Sequence, residues 1–171
     1  MNAMVDIETL ATTPNAAIVS IGVAWFDEGG LDARNFYIEL NWGMQNRYIC
    51  PKTLEWWRDE MHGEIPSGKI GIREGLGRLG AELQPAETIW AKPASFELPI
   101  LEDAYRQFGM QVPWNPRKWR CAYTLSKLGV PWSAEPGPVP FDIVSLRKHN
   151  ALYDATVQAG VAGAHLMDLK K

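Results

Sequence analysis

The sequence predicts one α/β domain in which a mixed β-sheet is flanked by α-helices. Three strand-like segments come first, and helical periodicities then alternate with one further short buried strand. The segment 17–26 is apolar except for Ser20, which is typical of a central strand rather than of one with a solvent-exposed face. The length of 171 residues suits a single domain that spans residues 1–171.

The first half of the chain predicts three strands followed by two helices. The strand segments are rich in β-branched and aromatic residues, and they are 5–9, 17–26 and 35–40. Turns around Pro14 and at 27–30 separate them. The helical segments repeat apolar residues at three- and four-residue spacing, and they are 51–61 and 70–83.

The second half predicts a short strand and two longer helices. The strand is 87–91, and the helix that follows runs from Ser95, a suitable N-cap, to Phe108. Pro- and Trp-rich sequence fills 113–140 and predicts an irregular region with a helical turn around 123–128. The last helix is predicted over 151–169, where small residues favour close packing on the sheet.

Composition excludes several functional classes. The net charge of −3 argues against wrapping duplex nucleic acid over a broad basic surface. No stretch approaches the roughly 18 apolar residues of a membrane span. The first residues lack a basic region followed by an apolar run, and the two cysteines are far apart, so we expect a cytoplasmic protein with free thiols. Neither a Gly-x-Ser-x-Gly elbow nor a phosphate loop ending in Gly-Lys-Ser/Thr is present.

Two groups of chemically active residues lie at opposite ends of the chain. Asp6 and Glu8 are two apart on a predicted strand, so both carboxylates project from one face. Such a pair is also common on a solvated sheet face, although two adjacent acids repel each other unless a cation neutralises them. His149 and Asp154 flank the start of the last helix. An acid in a first helical turn also has an ordinary role against the helix dipole. The conjunction of the two groups favours the functional interpretation.

Five blocks of sequence carry a resemblance to a known family. They are Val5-Asp-Ile-Glu-Thr-Leu10, Pro14-Asn-Ala-Ala-Ile-Val-Ser-Ile-Gly22, Thr53-Leu-Glu-Trp-Trp57, Trp90-Ala-Lys-Pro-Ala-Ser-Phe-Glu97 and His149-Asn-Ala-Leu-Tyr-Asp154. Together they resemble the His subclass of the DEDD superfamily of 3′–5′ exonucleases. Within it they are most similar to ribonuclease T-like exoribonucleases of mycobacterial type and to phage exonuclease A proteins. The resemblance implies a ribonuclease H-like fold, and a phage or prophage origin fits it.

The resemblance also implies a set of site residues. Its metal ligands fall on carboxylates that would hold two Mg²⁺ or Mn²⁺ ions, and they are Asp6, Glu8, Asp154 and Glu97. In this hypothesis Asp6 bridges the ions, and Glu97 acts directly or through water. His149 would be the general base, a role that suits histidine because it titrates near neutral pH.

Two positions depart from the family pattern. Where the branch usually has Asn and Asp, this sequence has Lys92 and Glu97. Glutamate still binds hard cations, but its extra methylene moves the carboxylate by about one bond. The ammonium group of Lys92 is suited either to contacting a substrate phosphate or to competing with a metal ion.

The expected function is metal-dependent hydrolysis of single-stranded nucleic acid, or of 3′ overhangs, from the 3′ end to nucleoside 5′-monophosphates. By family likeness Thr9 holds the terminal 3′-OH through its backbone or hydroxyl, and Leu10 wedges against the last base. Phe96 and Trp57 are candidates for stacking, with a packed core position as the alternative for Trp57. Many relatives form homodimers, and the composition is compatible with one.

Two alternative functions stay open at this stage. The first is a catalytically weakened nucleic-acid-binding relative, which Lys92 and Glu97 favour. The second is a hydrolase of dinucleotides or short oligonucleotides. No residue distinguishes RNA from DNA, because a 2′-hydroxyl is recognised by only one or two contacts.

Overall fold

The computed structural model describes residues 1–61, 63–125, 127 and 148–169. Its strands are β1 (Asn2–Thr9), β2 (Ile18–Asp27), β3 (Gly30–Glu39), β4 (Thr88–Ala91) and β5 (Trp119–Cys121). Its helices are α1 (Pro51–Glu60), α2 (Ile72–Leu83), α3 (Ala94–Gln107), α4 (Ala122–Leu125) and α5 (Ala151–Asp168). The strands form one five-stranded sheet in the order β3-β2-β1-β4-β5. The predicted fold class, a mixed sheet flanked by helices, is confirmed.

Strand β1 lies at the centre of the sheet. It pairs antiparallel with β2, where Asp6 lies opposite Gly22, and parallel with β4, where Met4 lies opposite Trp90. Strand β5 continues the parallel half, with Ala91 opposite Cys121. The carboxyl ends of β1, β4 and β5 therefore meet at one edge, which is where ligands bind in sheets of this kind.

Alternate side chains of β1 serve two different layers. Ala3, Val5 and Ile7 face the larger core, which α2 and α3 cover. Met4 lies in a second core beneath α5, built largely from the alanines of that helix. Because side chains alternate along a strand, Asp6 and Glu8 continue the Met4 face and lie on the α5 side of the sheet.

Helix α5 approaches the sheet closely at its first residue. A Cβ added to Gly22 would lie 2.3 Å from the carbonyl carbon and oxygen of Ala151 and 2.4 Å from the amide nitrogen of Leu152. Only glycine allows two backbones to come this near at this position of β2. Since Gly22 is paired with Asp6, the contact holds the start of α5 directly over the acidic part of β1.

Several sequence-based boundaries need correction. Strand β3 begins at Gly30 rather than at 35, because its first half is an exposed edge without an apolar pattern. Helix α3 begins at Ala94 with Pro93 as its N-cap, so Ser95 is not the cap. The region 113–140 contains a 3₁₀ turn at Pro116–Lys118, strand β5 and helix α4, and its residues 126 and 128–140 lie outside the described residues. In the described ranges, no helix combines the length and apolar character that a membrane crossing requires.

Candidate active site

Strand β1 contributes two carboxylates at its carboxyl end. Asp6 is 8% exposed and accepts a hydrogen bond at 2.9 Å from the side-chain amide of Gln158, which projects from α5. Glu8 lies two residues further along the same face and is half-buried. The Gln158 contact fixes the orientation of the Asp6 carboxylate, as outer hydrogen bonds do for metal ligands.

The start of α5 contributes His149 and Asp154. Asn150 caps the helix, since its side-chain oxygen accepts the amide hydrogens of Leu152 and Tyr153 at 3.1 and 3.2 Å. His149 has a positive φ of 66°, and its backbone N–H donates to Oδ2 of Asp154 at 2.9 Å. One potential ligand atom each from Glu8, His149 and Asp154 lie within 4.8 Å of one another. Residues 140 positions apart in the chain therefore converge on one point.

The segment that follows strand β4 contributes Lys92 and Glu97. Lys92 follows the strand directly, and Glu97 lies in the first turn of α3. Glu97 is only 2% exposed, and its Oε2 has no hydrogen-bond partner among the described residues. Repulsion between Glu97 and Asp6 contributes to the raised pKa of Glu97, and repulsion from Glu97 contributes to the raised pKa of Glu8, so these carboxyl groups are neighbours. Of the five residues predicted to be catalytic, Glu8, His149 and Asp154 lie within 4.8 Å of one another, and Asp6 and Glu97 act electrostatically on Glu8.

Burial and mutual repulsion disfavour the charged forms of these carboxyl groups. Burial, with repulsion from Asp154, raises the pKa of Asp6 to about 8, although Gln158 and Lys92 oppose the change. Burial, reinforced by Asp6, raises the pKa of Glu8 and of Glu97 to about 9 in each case. The pKa of Asp154 is also raised, chiefly by burial.

The donor set fits hard divalent cations. Four clustered carboxylates, one of them with an unpartnered buried oxygen, offer the ligands that Mg²⁺ and Mn²⁺ prefer. Cations would restore the charged forms that burial opposes. Burial lowers the pKa of Lys92, and the neighbouring carboxylates of Asp154 and Asp6 oppose this change.

A cavity of about 290 Å³ opens beside Glu8. Polar and aromatic side chains form its wall, and its lining residues are Ile7, Glu8, Thr9, Ala11, Thr12, Lys52, Thr53, Trp56 and Phe96. The hydroxyl of Thr9 donates to the carbonyl of Ala11 at 2.7 Å. Its volume is at the small end of the range for ligand pockets.

Two residues expected to contact substrate do not reach this cavity. Leu10 and Trp57 are fully buried in a small cluster between β2 and α1. The indole N–H of Trp57 donates to the carbonyl of Thr9 at 3.1 Å, which favours the packed alternative for this tryptophan. The structure therefore gives Leu10 no surface for wedging against a base, because packing encloses its whole side chain.

Sequence reasoning missed two residues that contact the site. Gln158, which binds Asp6, lies four residues after Asp154 and so on the same helical face, a spacing that the sequence offered. Trp56 is 37% exposed and lines the cavity. Trp57 belongs to the buried stripe of α1, and Trp56 is its neighbour in the sequence. This neighbouring position was the signal in the sequence that Trp56 faces outward.

A comparison of the sequence with protein families gives one match. Residues 1–166 match the family described as the 3′–5′ exoribonuclease Rv2179c-like domain. The chain belongs to this family. The family and the fold make the protein a 3′–5′ exonuclease, as the sequence motifs predicted. No curated protein matches the chain in sequence.

Solved structures of similar fold include three exonucleases. Exonuclease X in complex with 5′ overhanging duplex DNA is 19% identical with a TM-score of 0.68, over 100% of this chain and 94% of the other. The zinc-bound complex of E. coli ExoI with single-stranded DNA is 14% identical with a TM-score of 0.65, over 99% of this chain but only 40% of ExoI. The nuclease domain of 3′hExo, a DEDDh family member bound to rAMP, is 12% identical with a TM-score of 0.62, over 98% and 92%. The TM-scores of 0.62 to 0.68 establish the shared fold.

Proposed function

We propose that this exonuclease hydrolyses single-stranded nucleic acid, or 3′ overhangs, one nucleotide at a time from the 3′ end and releases nucleoside 5′-monophosphates. The observation that carries the proposal is the convergence of Glu8, His149 and Asp154 within 4.8 Å, with buried Asp6 and Glu97 beside them.

We place the protein in the cytoplasm, since both cysteines are free and reducing conditions keep them so. A homodimer stays a prediction.

The four carboxylates would hold two Mg²⁺ or Mn²⁺ ions. Bound ions of this kind neutralise a phosphate, lower the pKa of water and stabilise a leaving oxygen. Gln158 orients Asp6 for this task, and the hydrogen bond from His149 orients Asp154. Glu97 completes the set, because its Oε2 is buried and has no other partner in the described part of the chain.

His149 would take the proton from the attacking water. Its imidazole lies within the same 4.8 Å group as Glu8 and Asp154, so it is within reach of a water held beside the scissile phosphate. Neutral imidazole would accept that proton as the water oxygen bonds to phosphorus and the bond from phosphorus to the 3′ oxygen of the preceding nucleotide breaks. That 3′ oxygen would take a proton from solvent, and the imidazolium would return its own proton to solvent. The 3′-terminal nucleoside would lie in the cavity beside Glu8.

The terminal nucleotide would be held by backbone and aromatic groups. The Thr9 hydroxyl already donates its hydrogen to the carbonyl of Ala11. A terminal 3′-OH would therefore donate to the hydroxyl oxygen of Thr9 or bond to its backbone. Phe96 and Trp56 line the cavity and offer faces on which any base stacks. The family description names RNA, which makes RNA the first substrate to test.

A time course on 5′-labelled single strands tests the proposal. DNA and RNA of the same sequence are incubated with Mg²⁺, Mn²⁺ or EDTA, with Asp6→Ala as the inactive control. We expect a ladder that shortens from the 3′ end in either metal and is absent in EDTA and in Asp6→Ala. An intact strand under every condition would refute the proposal.

A catalytically weakened binding protein is the second candidate. Lys92 favours it, because its positive charge interacts with Asp154 and Asp6 and so competes with a cation. Lys92→Asn and Glu97→Asp discriminate the two candidates. If the wild type binds strands without cutting them and either variant cuts, the fold serves binding.

A further inference from the structure

Trp56 presents an exposed indole directly beside the candidate general base. Its ring and the imidazole of His149 meet edge to face, with centroids 4.8 Å apart and an interplanar angle of 89°. This geometry is the favourable one for two aromatic rings. Trp56 is 37% exposed, so part of its indole is accessible to a ligand.

A rigid support holds Trp56 in place. Its ring also packs edge to face on Trp57, at a centroid distance of 5.6 Å and an angle of 79°. Trp57 is fully buried and bonded to the Thr9 carbonyl. Trp56 is therefore anchored, through Trp57, to the end of the strand that carries Glu8.

The backbone of His149 is fixed, whereas its ring depends on its neighbours. The positive φ of 66° is uncommon for a residue with a side chain, and the hydrogen bond to Asp154 stabilises it. That bond locates the Cα of His149, but the direction of the imidazole is set by torsions beyond it. The indole of Trp56 is a surface that selects one of these directions.

The same indole forms part of the cavity wall. Trp56 lines the cavity together with Glu8, Thr9 and Phe96. A base in this cavity and the imidazole of His149 would thus contact one ring. A base that fixes the indole also fixes the surface against which the imidazole packs.

We infer that Trp56 is a positioning residue, which couples filling of the cavity by the 3′-terminal base to placement of the His149 imidazole. The inference rests on the proposed function and deepens it. It specifies that a nucleotide with a base at the 3′ end is the substrate for efficient hydrolysis. An end that lacks the base binds and is cut slowly.

Single-turnover cleavage at saturating single strand, with Mg²⁺ present, tests the inference. Trp56→Leu removes the ring and Trp56→Phe keeps an aromatic edge, while Tyr48→Ala removes a 45% exposed aromatic side chain outside the cavity lining as the matched control. Each variant is measured with a normal 3′ end and with an abasic 3′ nucleotide. Trp56→Leu is also combined with His149→Ala, and thermal unfolding is recorded for all variants.

We expect Trp56→Leu to lower the saturated rate at least about tenfold, because misplacing a reacting group by an ångström costs up to ~10²-fold. Trp56→Phe should retain activity within roughly threefold, since ring–ring contact persists. In the wild type, an abasic 3′ end should lower the cleavage rate by the same factor as Trp56→Leu does. In Trp56→Leu, the abasic end and the normal end should be cut at the same rate. In the His149→Ala background, Trp56→Leu should have no further effect.

Three results would overturn the inference. One is a normal saturated rate in folded Trp56→Leu with only KM raised, which would assign Trp56 to binding alone. A second is the same loss from Trp56→Leu with and without His149. The third is a loss of the same size in Tyr48→Ala. If the wild type cuts no strand at all, the proposed function itself fails. This outcome differs from the three above, because in each of them the wild type cuts the strand.

Discussion

Replacing Gly22 with alanine tests how closely the site depends on one backbone contact. The added Cβ would lie 2.3 Å from the carbonyl of Ala151, whereas ordinary contact begins at 3.4 Å. The neighbouring atoms belong to the backbone, so no side-chain rotation relieves the overlap. The start of α5 must therefore move by about 1 Å, and it carries His149 and Asp154 with it.

The expected effect is much larger on activity than on stability. Overpacking of this kind costs ~1–3 kcal/mol of unfolding free energy, which leaves an ordinary domain folded. Ångström misplacement of reacting groups costs up to ~10²-fold in rate. We therefore expect Gly22→Ala to be folded, modestly less stable, and slower by about two orders of magnitude at saturating substrate.

Gly163→Ala is the matched control for this change. Gly163 lies near the other end of α5, where an added Cβ would meet the carbonyl oxygen of Asp27 at 2.8 Å. Gly163→Ala perturbs the same helix–sheet interface far from the acidic cluster. It should therefore lower the free energy of unfolding measured with denaturant and hardly change the rate of 3′-end shortening. A folded Gly22→Ala with the wild-type rate, or equal rate losses in both variants, would refute the reasoning.

Three further predictions address charge and polar contacts. Because burial raises the pKa of Glu8 from 4.5 to about 9 in the metal-free fold, the contribution of Glu8 to stability is complete below about pH 4 and is lost as the pH rises to about 9. Unfolding in EDTA and in Mg²⁺ across this range measures it, and parallel curves would contradict it. Gln158→Leu should raise the Mg²⁺ concentration for half-maximal activity about tenfold, since Asp6 loses its orienting partner; an unchanged metal titration argues against that role. Arg47→Met should cost ~2–4 kcal/mol in denaturant unfolding, because its buried guanidinium bonds the carbonyls of Pro14 and Ala16 at 2.7 Å; a loss under 1 kcal/mol contradicts it.

The sequence predicted those elements whose hydrophobic pattern is strong. Strand β2 and helices α1, α2 and α5 are apolar along a face or throughout, and their existence followed from periodicity. The exposed first half of β3 has no such pattern, because an edge strand with solvent on its outer side needs none. Strand β5 has only three residues, too few for any period, and becomes visible only through its pairing with β4.

The site residues that belong to sequence motifs could be predicted. Which side chains face the cavity could not, because this depends on how the elements pack. The positions of the five catalytic candidates follow from their motifs, and the structure brings Glu8, His149 and Asp154 within 4.8 Å of one another. Whether Trp56 or Trp57 faces the cavity depends on which side of α1 packs against β2. Leu10 is enclosed for the same reason, because hydrophobic residues near a strand end are drawn into whatever cluster lies there.

The contact between α5 and Gly22 has a consequence for biosynthesis. A nascent chain that extends only through β5 already contains Asp6, Glu8 and Glu97, but it lacks His149 and Asp154. The start of α5 docks on β2 only once this helix has been synthesised, so the two groups of candidate residues meet only after translation has passed Asp154.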